Sequence, residues 1–317
     1  MIGLVAIGRN EGERLRACLA SVVGRVACLV YVDSGSTDAS VVMAEEMGVH
    51  VVNLDMTKPF TAARARNEGF AALKALLPGV RYVQFVDGDC QVVDGWIEAA
   101  ADFLNQHDDL AVVCGRRRER YPERSIYNHL CDIEWDTPVG EAKYCGGDVL
   151  VRVAAFEQAQ GYRASLIAGE EPELCVRLRR AGWRIYRMDH EMTLHDAAMA
   201  RFGQWWKRSI RAGYAYAEGA RLHGAPPELH WVAETRRAVI WGGLLPLLVC
   251  LVVVLIGWSG LALLLIYPLQ VARLTKTCAS VQRAFFLVLG KFPELVGIVK
   301  FWNDSRRGSA TKIIEYK

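Results

Sequence analysis

The sequence predicts an α/β fold, a mostly parallel central sheet with helices on both faces, followed by a C-terminal transmembrane helical hairpin. Three observations carry that prediction. Short apolar runs alternate with longer helical stretches over the first two thirds of the 317 residues. Polar clusters follow several of those runs, as ligand loops do at the C-terminal ends of parallel strands. Finally, a stretch of 35 residues, 238–272, has no charged side chain. A chain that is 52% hydrophobic and 23% charged is not disordered, and a formal net charge of +3 does not point to nucleic acid. The nine cysteines are dispersed, with no CxxC pair, and read as reduced thiols facing a cytosol. The N-terminal MIGLVAIGRNEGERL meets a charge at Arg9 and does not read as a signal peptide.

Residues 3–7 (GLVAI) predict a strand, and Leu15, Leu19, Val22 and Val23 a helix after it. CLVYV at 28–32 is a second strand, and the turn DSGSTD leads to a helix over 41–47. A third strand covers 50–54. Thr61 caps a helix running to Leu77, stopped by Pro78-Gly79. YVQFV at 82–86 is a fourth strand that ends at Asp87-Gly88-Asp89. Residues 111–196 are less regular: a strand-like AVVCGRR, the polar-aromatic SIYNHLCDIEWD, a Gly146-Gly147 turn, a helix over 172–181 and a final strand over 184–188. This segment reads as an acceptor-side half packed on the first half.

The uncharged stretch exceeds the roughly 20 apolar residues of one span. Gly257-Trp258-Ser259-Gly260 divides it, and Arg236-Arg237 before it with Arg273, Lys276 and Arg283 after it place both ends on the cytoplasmic side. One tilted helix with a buried segment is the other reading. RFGQWWKRSIRAGYAYAEG suits either the headgroup level or a helix packed on the catalytic part, and 284–302, with Pro293 inside, reads as interfacial. The expected organisation is a catalytic domain over 1–200, an amphipathic linker over 201–237, the hairpin over 238–278, and an interfacial helix with cytoplasmic tail over 279–317.

Four groups carry chemistry. Asp87 and Asp89, on a glycine turn after a strand, can face one divalent cation, and their oxygen ligands suit Mg2+ or Mn2+. Glu171, before Pro172, is placed just outside a helix N-terminus, where it is either a general base or an ordinary stabiliser of the helix dipole. Lys58, Arg64, Arg66 and Asn67 beside a helix start either hold a phosphate or form a solvated face. His195-Asp196, after the last strand, is either structural or a metal ligand together with Asp87 and Asp89. Arg9-Asn10-Glu11 and Asp33-Ser34-Gly35-Ser36 join Asp87-Gly88-Asp89 as strand-end clusters.

The ordered series VAIGRNEG, VDSGSTD, AARARNEG, FVDGDC, GGD, GEEPEL…RL…GW and QWWKR resembles family 2 of the glycosyltransferases, with the A-type nucleotide-sugar-binding fold, over residues 2–211. The resemblance implies a nucleotide site that includes Asn10, Glu11, Asp33, Ser34, Arg64, Arg66, Asn67 and Asp87. It implies a metal, Mn2+ or Mg2+, on Asp87, Asp89 and His195, with Asp89 the closer ligand. Gly146, Gly147 and Asp148 would line the sugar or acceptor pocket together with Trp135. Glu171 would be the base, with Glu170 its rival, since glutamate stands where the family has aspartate. QWWKR departs from the QxxRW of processive synthases and favours transfer of one sugar. The function expected is metal-dependent, inverting transfer from a nucleoside diphosphate sugar, a UDP-sugar favoured, at the cytoplasmic face of the inner membrane. The acceptor expected is a lipid-linked glycan of surface polysaccharide assembly, touched by Tyr127, Asn128, Asp132, Glu134 and Trp135. A polyprenyl-phosphate sugar synthase is the nearest alternative, and a metal-dependent phosphohydrolase or a non-catalytic membrane-anchored scaffold the alternatives from other classes. No nucleic-acid partner is expected.

Overall fold

In a computed structural model, which describes residues 1–308 and Ile314, the chain divides into two units, Met1–Ala200 and Arg201–Lys317. The end of the expected tail, 309–313 and 315–317, lies outside the described residues.

The first unit begins with β1 (Ile2–Gly8), α1 (Glu13–Ala20), β2 (Cys28–Asp33), α2 (Ser40–Glu46), β3 (His50–Asn53), α3 (Ala62–Leu76) and β4 (Tyr82–Asp87). These strands pair in parallel in the order β3-β2-β1-β4. β1, β2 and β4 are buried on both faces, so Leu4, Val5, Val30, Val83 and Phe85 are wholly shielded from solvent, while the edge strand β3 is half exposed. Thr61 caps α3 as the sequence predicts, accepting from Arg64 N at 3.0 Å.

Next come β5 (Cys90–Val92), α4 (Trp96–Gln106), β6 (Leu110–Glu119), α5 (Ile126–Trp135), β7 (Gly140–Glu141), β8 (Val149–Arg152), α6 (Val153–Gln158), α7 (Glu170–Arg180) and β9 (Arg184–His195). They extend the sheet as β4-β8-β6-β9-β5, with β7 also on β9. The parallel pattern therefore holds for the first half, while in the second β8, β5 and β7 run antiparallel to their neighbours.

Three local readings are corrected. The last strand runs to His195 instead of stopping at Met188, since its polar second half is carried along β6 through register shifts at Arg116 and Arg117. The helix expected over 172–181 starts at Glu170, after Gly169 in the left-handed conformation, so Glu171 is in the first turn, not outside it. SIYNHLCDIEW forms a helix, capped by Ser125, which accepts from Asn128 N at 3.0 Å.

The second unit holds α8 (Phe202–His223), α9 (Val232–Val239), α10 (Leu245–Ile256), α11 (Ile266–Cys278), α12 (Val281–Leu289) and α13 (Lys291–Arg307). A π turn (Ile240–Leu244) and a 3₁₀ stretch (Gly257–Leu265) make the helical assignment continuous from Val232 to Cys278. The chain nevertheless doubles back. Tyr267 Oη donates to the Trp241 carbonyl at 2.7 Å, whereas 26 residues of straight helix would span about 39 Å. The reversal falls at Gly257, with φ 78°. Leu247, Leu251, Val254, Leu255, Trp258 and Leu265 stay exposed along this segment.

α8 packs against α13 within this unit, a third arrangement beside the two readings of its sequence. A Cβ on Gly213 would lie 1.9 Å from Glu294 O, and one on Gly297 2.0 Å from Ile210 O, so only glycines allow these backbones to meet. Trp205 and Phe286 stack edge-on at 4.9 Å. The segment 284–302 is two helices joined at Gly290, and Pro293 lies in the first turn of the second, where it breaks no helical bond.

Candidate active site

Parallel register sets the site. Gly8 lies opposite Asp33, and Ile7 opposite Asp87, so the ends of β1, β2 and β4 share one edge. Asp33, 3% exposed, accepts from Tyr31 Oη at 2.9 Å, Gly35 N at 2.9 Å, and Ser36 N and Oγ at 2.7 and 2.5 Å. Its carboxylate holds its own loop, and burial, with that neighbouring charge, raises the Tyr31 pKa. Asn10 latches the same loop: Oδ1 accepts from Thr37 N at 2.7 Å and its N donates to Ser36 Oγ at 2.8 Å. Ser34 is buried and its N donates to Gly8 O, while Glu11 pairs with Arg14 at 2.7 Å.

The acidic turn splits into two environments. Asp87 is clamped by arginines: Arg66 Nη2 donates to Oδ1 at 2.6 Å and Arg117 Nη2 to Oδ2 at 3.1 Å. Burial would raise the Asp87 pKa, but Arg66, then Arg117 and His195, outweigh it and hold the carboxyl well below the ordinary range. The other end of Arg66, itself 2% exposed, donates to Glu170 Oε1 at 2.8 Å. Arg117 also donates to Asp148 Oδ2 at 2.8 Å, and the fully buried Asp148 accepts from Asp87 N at 3.0 Å and Thr193 Oγ1 at 2.8 Å. Gly147 lies against this clamp, where a Cβ would come 2.9 Å from Arg66 Nη2. Gly146, at φ 82°, makes the turn into it.

Asp89 faces the other way. Its Oδ2 lies 3.3 Å from His195 Nε2, and His195 is stationed there because β9 pairs Cys90 on one side and Glu119 on the other. Ligand atoms of Asp89, Cys90 and His195 lie within 4.8 Å of one another. Burial lowers the His195 pKa, which favours the neutral ring that binds metals. Its Nδ1, without a hydrogen-bond partner, lies 3.7 Å from Glu119 Oε2. Trp135 meets the ring edge-on at 4.7 Å and lies under Arg117.

Glu171, 7% exposed, accepts at Oε1 from Cys145 N at 2.6 Å and from the thiols of Cys145 and Cys175, each at 2.9 Å. Burial raises its pKa against the lowering effect of these donors. The remaining sequence candidates serve elsewhere. Asn67 spends its amide on Tyr162, donating to O at 2.7 Å and accepting from N at 2.9 Å. Arg64 pairs with Glu68 and the carbonyls of Lys58 and Pro59, and Lys58 itself is exposed beside Asp55. Asn128 ties Glu119, Tyr121 and Met199 together, and Asp132 accepts from Glu119 N and pairs with Arg116. Tyr127 and Glu134 lie on α5 with them.

Sequence reasoning missed Arg117, Glu119, Cys145 and Cys175. The run Arg116-Arg117-Arg118 at the end of an apolar strand signalled charge at that edge, but which arginine turns inward is set by the register shifts at Arg116 and Arg117.

The model of the family described as Glycosyl transferase family 2 matches residues 5–169. The chain is 27% identical over 265 residues to the succinoglycan biosynthesis protein ExoA of Rhizobium meliloti, covering 79% of this chain and 78% of that one. It is 32% identical over 147 residues to a TPR repeat-containing protein of Synechococcus elongatus, covering 44% of this chain but only 34% of that relative's length. Among solved structures, the mannosyltransferase PcManGT from Pyrobaculum calidifontis, in complex with GDP-Man and Mn2+, superposes with TM-score 0.66 at 16% identity, covering 96% of this chain and 87% of that one. Glucosyl-3-phosphoglycerate synthase from Mycobacterium tuberculosis, with Mn2+ and UDP-Glc, gives TM-score 0.52 at 17% identity, covering 71% and 80%. At such identities the likeness establishes the fold.

Proposed function

The chain belongs to glycosyltransferase family 2 and is a glycosyltransferase; from that premise we propose that it moves one sugar from a nucleoside diphosphate sugar to an acceptor hydroxyl, with inversion, at the cytoplasmic face of the inner membrane. The observation that carries this reading is the bridge made by Arg66, which ties Asp87 of the acidic turn to Glu170 and so brings the helix of Glu171 beside the strand end.

The donor set fits a divalent cation. Asp89 and the neutral His195 converge at 3.3 Å, while Asp87 is committed to arginines. These two residues would hold Mn2+ or Mg2+, which when bound neutralises charge on a departing diphosphate. Arg66 and Arg117 at the same edge are already matched by Asp87, Glu170 and Asp148, so it is the cation on Asp89 and His195 that would neutralise a nucleoside diphosphate here. Asp33 ends the neighbouring strand, where its carboxylate could accept from a base N–H, and a UDP-sugar is the donor favoured by the family resemblance. Glu171, poorly solvated, is set to take the proton of an acceptor hydroxyl as that oxygen attacks the anomeric carbon from the face opposite the leaving group.

The second unit supports an acceptor that stays in the bilayer. Residues 238–256 make about 28 Å of helix, close to the roughly 30 Å hydrocarbon thickness, and their exposed leucines and valines suit lipid. Likeness to ExoA, a protein of succinoglycan biosynthesis, favours a lipid-linked glycan of polysaccharide assembly. The same apolar unit would suit a polyprenyl phosphate, an acceptor already ionised and in no need of a base. The two are separated by Glu171→Gln: transfer to a hydroxyl falls by about 10²- to 10⁴-fold, whereas transfer to a phosphate survives. Activity of that variant within a few-fold of the parent refutes the hydroxyl reading.

A further inference from the structure

We infer that Cys145, Cys175 and Glu171 form a second cation site, specific for a thiophilic divalent ion such as Zn2+ and separate from the oxygen and nitrogen donors of Asp89 and His195. Cys145 Sγ and Cys175 Sγ lie 3.5 Å apart, and each lies 2.9 Å from Glu171 Oε1. The three ligand atoms belong to a loop, a helix and that same helix one turn earlier, so they are fixed from two directions. An ion about 2.3 Å from each sulfur and about 2.1 Å from the oxygen sits roughly 1.3 Å above that triangle, with one tetrahedral position left open.

Charge supports the exchange. Two thiol protons already converge on one carboxylate oxygen. Zn2+ would replace them, releasing two protons and leaving the net charge of this buried pocket unchanged. Cys175 is fully buried and Glu171 nearly so, while the partly exposed Cys145 marks the side of entry. Thiolates discriminate against Mn2+ and Mg2+, so the ion that serves the donor does not compete here. The consequence, which rests on Glu171 being the base, is inhibition, because a carboxylate bound to zinc does not accept the acceptor's proton.

The test is titration of the full-length, detergent-solubilised protein with Co2+, whose thiolate charge-transfer absorption reports sulfur ligands whether or not sugar is transferred. With excess Mg2+ present to fill the oxygen site, the expected result is a band that saturates at one equivalent, is displaced by Zn2+, persists in Cys90→Ser and Asp89→Ala, and is lost in the Cys145→Ser/Cys175→Ser double variant. Absence of the band, its survival in the double variant, or its loss in Cys90→Ser alone overturns the inference. Should the double variant not fold, Cys145→Ser alone must weaken cobalt binding by at least about tenfold, and unchanged binding overturns the inference equally. Zn2+ inhibition of transfer that the cysteine variants relieve would then tie the site to Glu171; a bound but harmless ion would leave the site standing and count against Glu171 as base.

Discussion

Replacing Arg66 by Met tests the electrostatic centre of the site. Arg66 is 2% exposed and donates to Asp87 at 2.6 Å and to Glu170 at 2.8 Å. Methionine retains much of the buried stem, so the cost comes from two carboxylates that lose a cation. Removing one partner of a buried pair costs about 3–5 kcal/mol. At roughly 2–4 °C per kcal/mol for a unit of this size, the melting temperature should fall by about 10 °C or somewhat more. The pH dependence is specific. Asp87 is held below the ordinary carboxylate range, so its contribution is complete at neutral pH and is lost only as the pH falls through that depressed value. In the variant Asp87 keeps Arg117 but loses the stronger of its two cations, and Glu170 loses its arginine, so the deficit should shrink on acidification from about pH 7 to 4 as these carboxylates take up protons. Adding Glu170→Gln should recover part of the loss, because it removes one unpaired charge. Thermal unfolding of the full chain, followed by circular dichroism, reads all three. A deficit below about 1 kcal/mol, or one that does not change with pH and with Glu170→Gln, refutes the clamp.

Further outcomes follow from the same geometry. Glu171→Gln should lose transfer yet melt no lower than the parent at neutral pH, because a carboxylate whose pKa burial raises costs stability once the pH exceeds that value; a lower melting temperature would contradict this. For the same reason the acid limb of the kcat profile should lie above the usual glutamate range, and a limb at the ordinary value counts against Glu171 as base. Asn67→Ala should cost about 1–3 kcal/mol through the unpaired backbone of Tyr162, with little change if that turn finds other partners, as chemical denaturation would show. Gly213→Ala places a methyl 1.9 Å from Glu294 O and should separate α8 from α13, detectable as new proteolysis in the second unit.

Local chemistry was readable, and long-range partnership was not. The strand ending at Asp87 and the Thr61 cap each depend on a few neighbouring residues, and each is found where apolar runs and turn residues place it. The split between Asp87 and Asp89 depends on Arg117, thirty residues away on β6, and no spacing rule announces it. Asn67 and Arg64 stood in the right motif, but the turn at Tyr162 and the loop at Lys58 occupy their polar groups. Scattered cysteines carried no pattern, yet α7 and the loop before Gly146 bring two of them onto Glu171. The polar second half of β9 hid a strand, because its partner on β6, Arg116 to Glu119, is charged throughout as well.

The central claim is a nucleoside diphosphate site completed by a divalent ion on Asp89 and His195. Calorimetric titration of the solubilised full-length protein with a panel of nucleoside diphosphates, with and without Mn2+, tests it most directly, repeated on Asp89→Ala and His195→Ala. The account predicts binding of one diphosphate that requires Mn2+ and is lost in both variants. Equal binding without metal, binding untouched by both substitutions, or no binding by folded protein would contradict it.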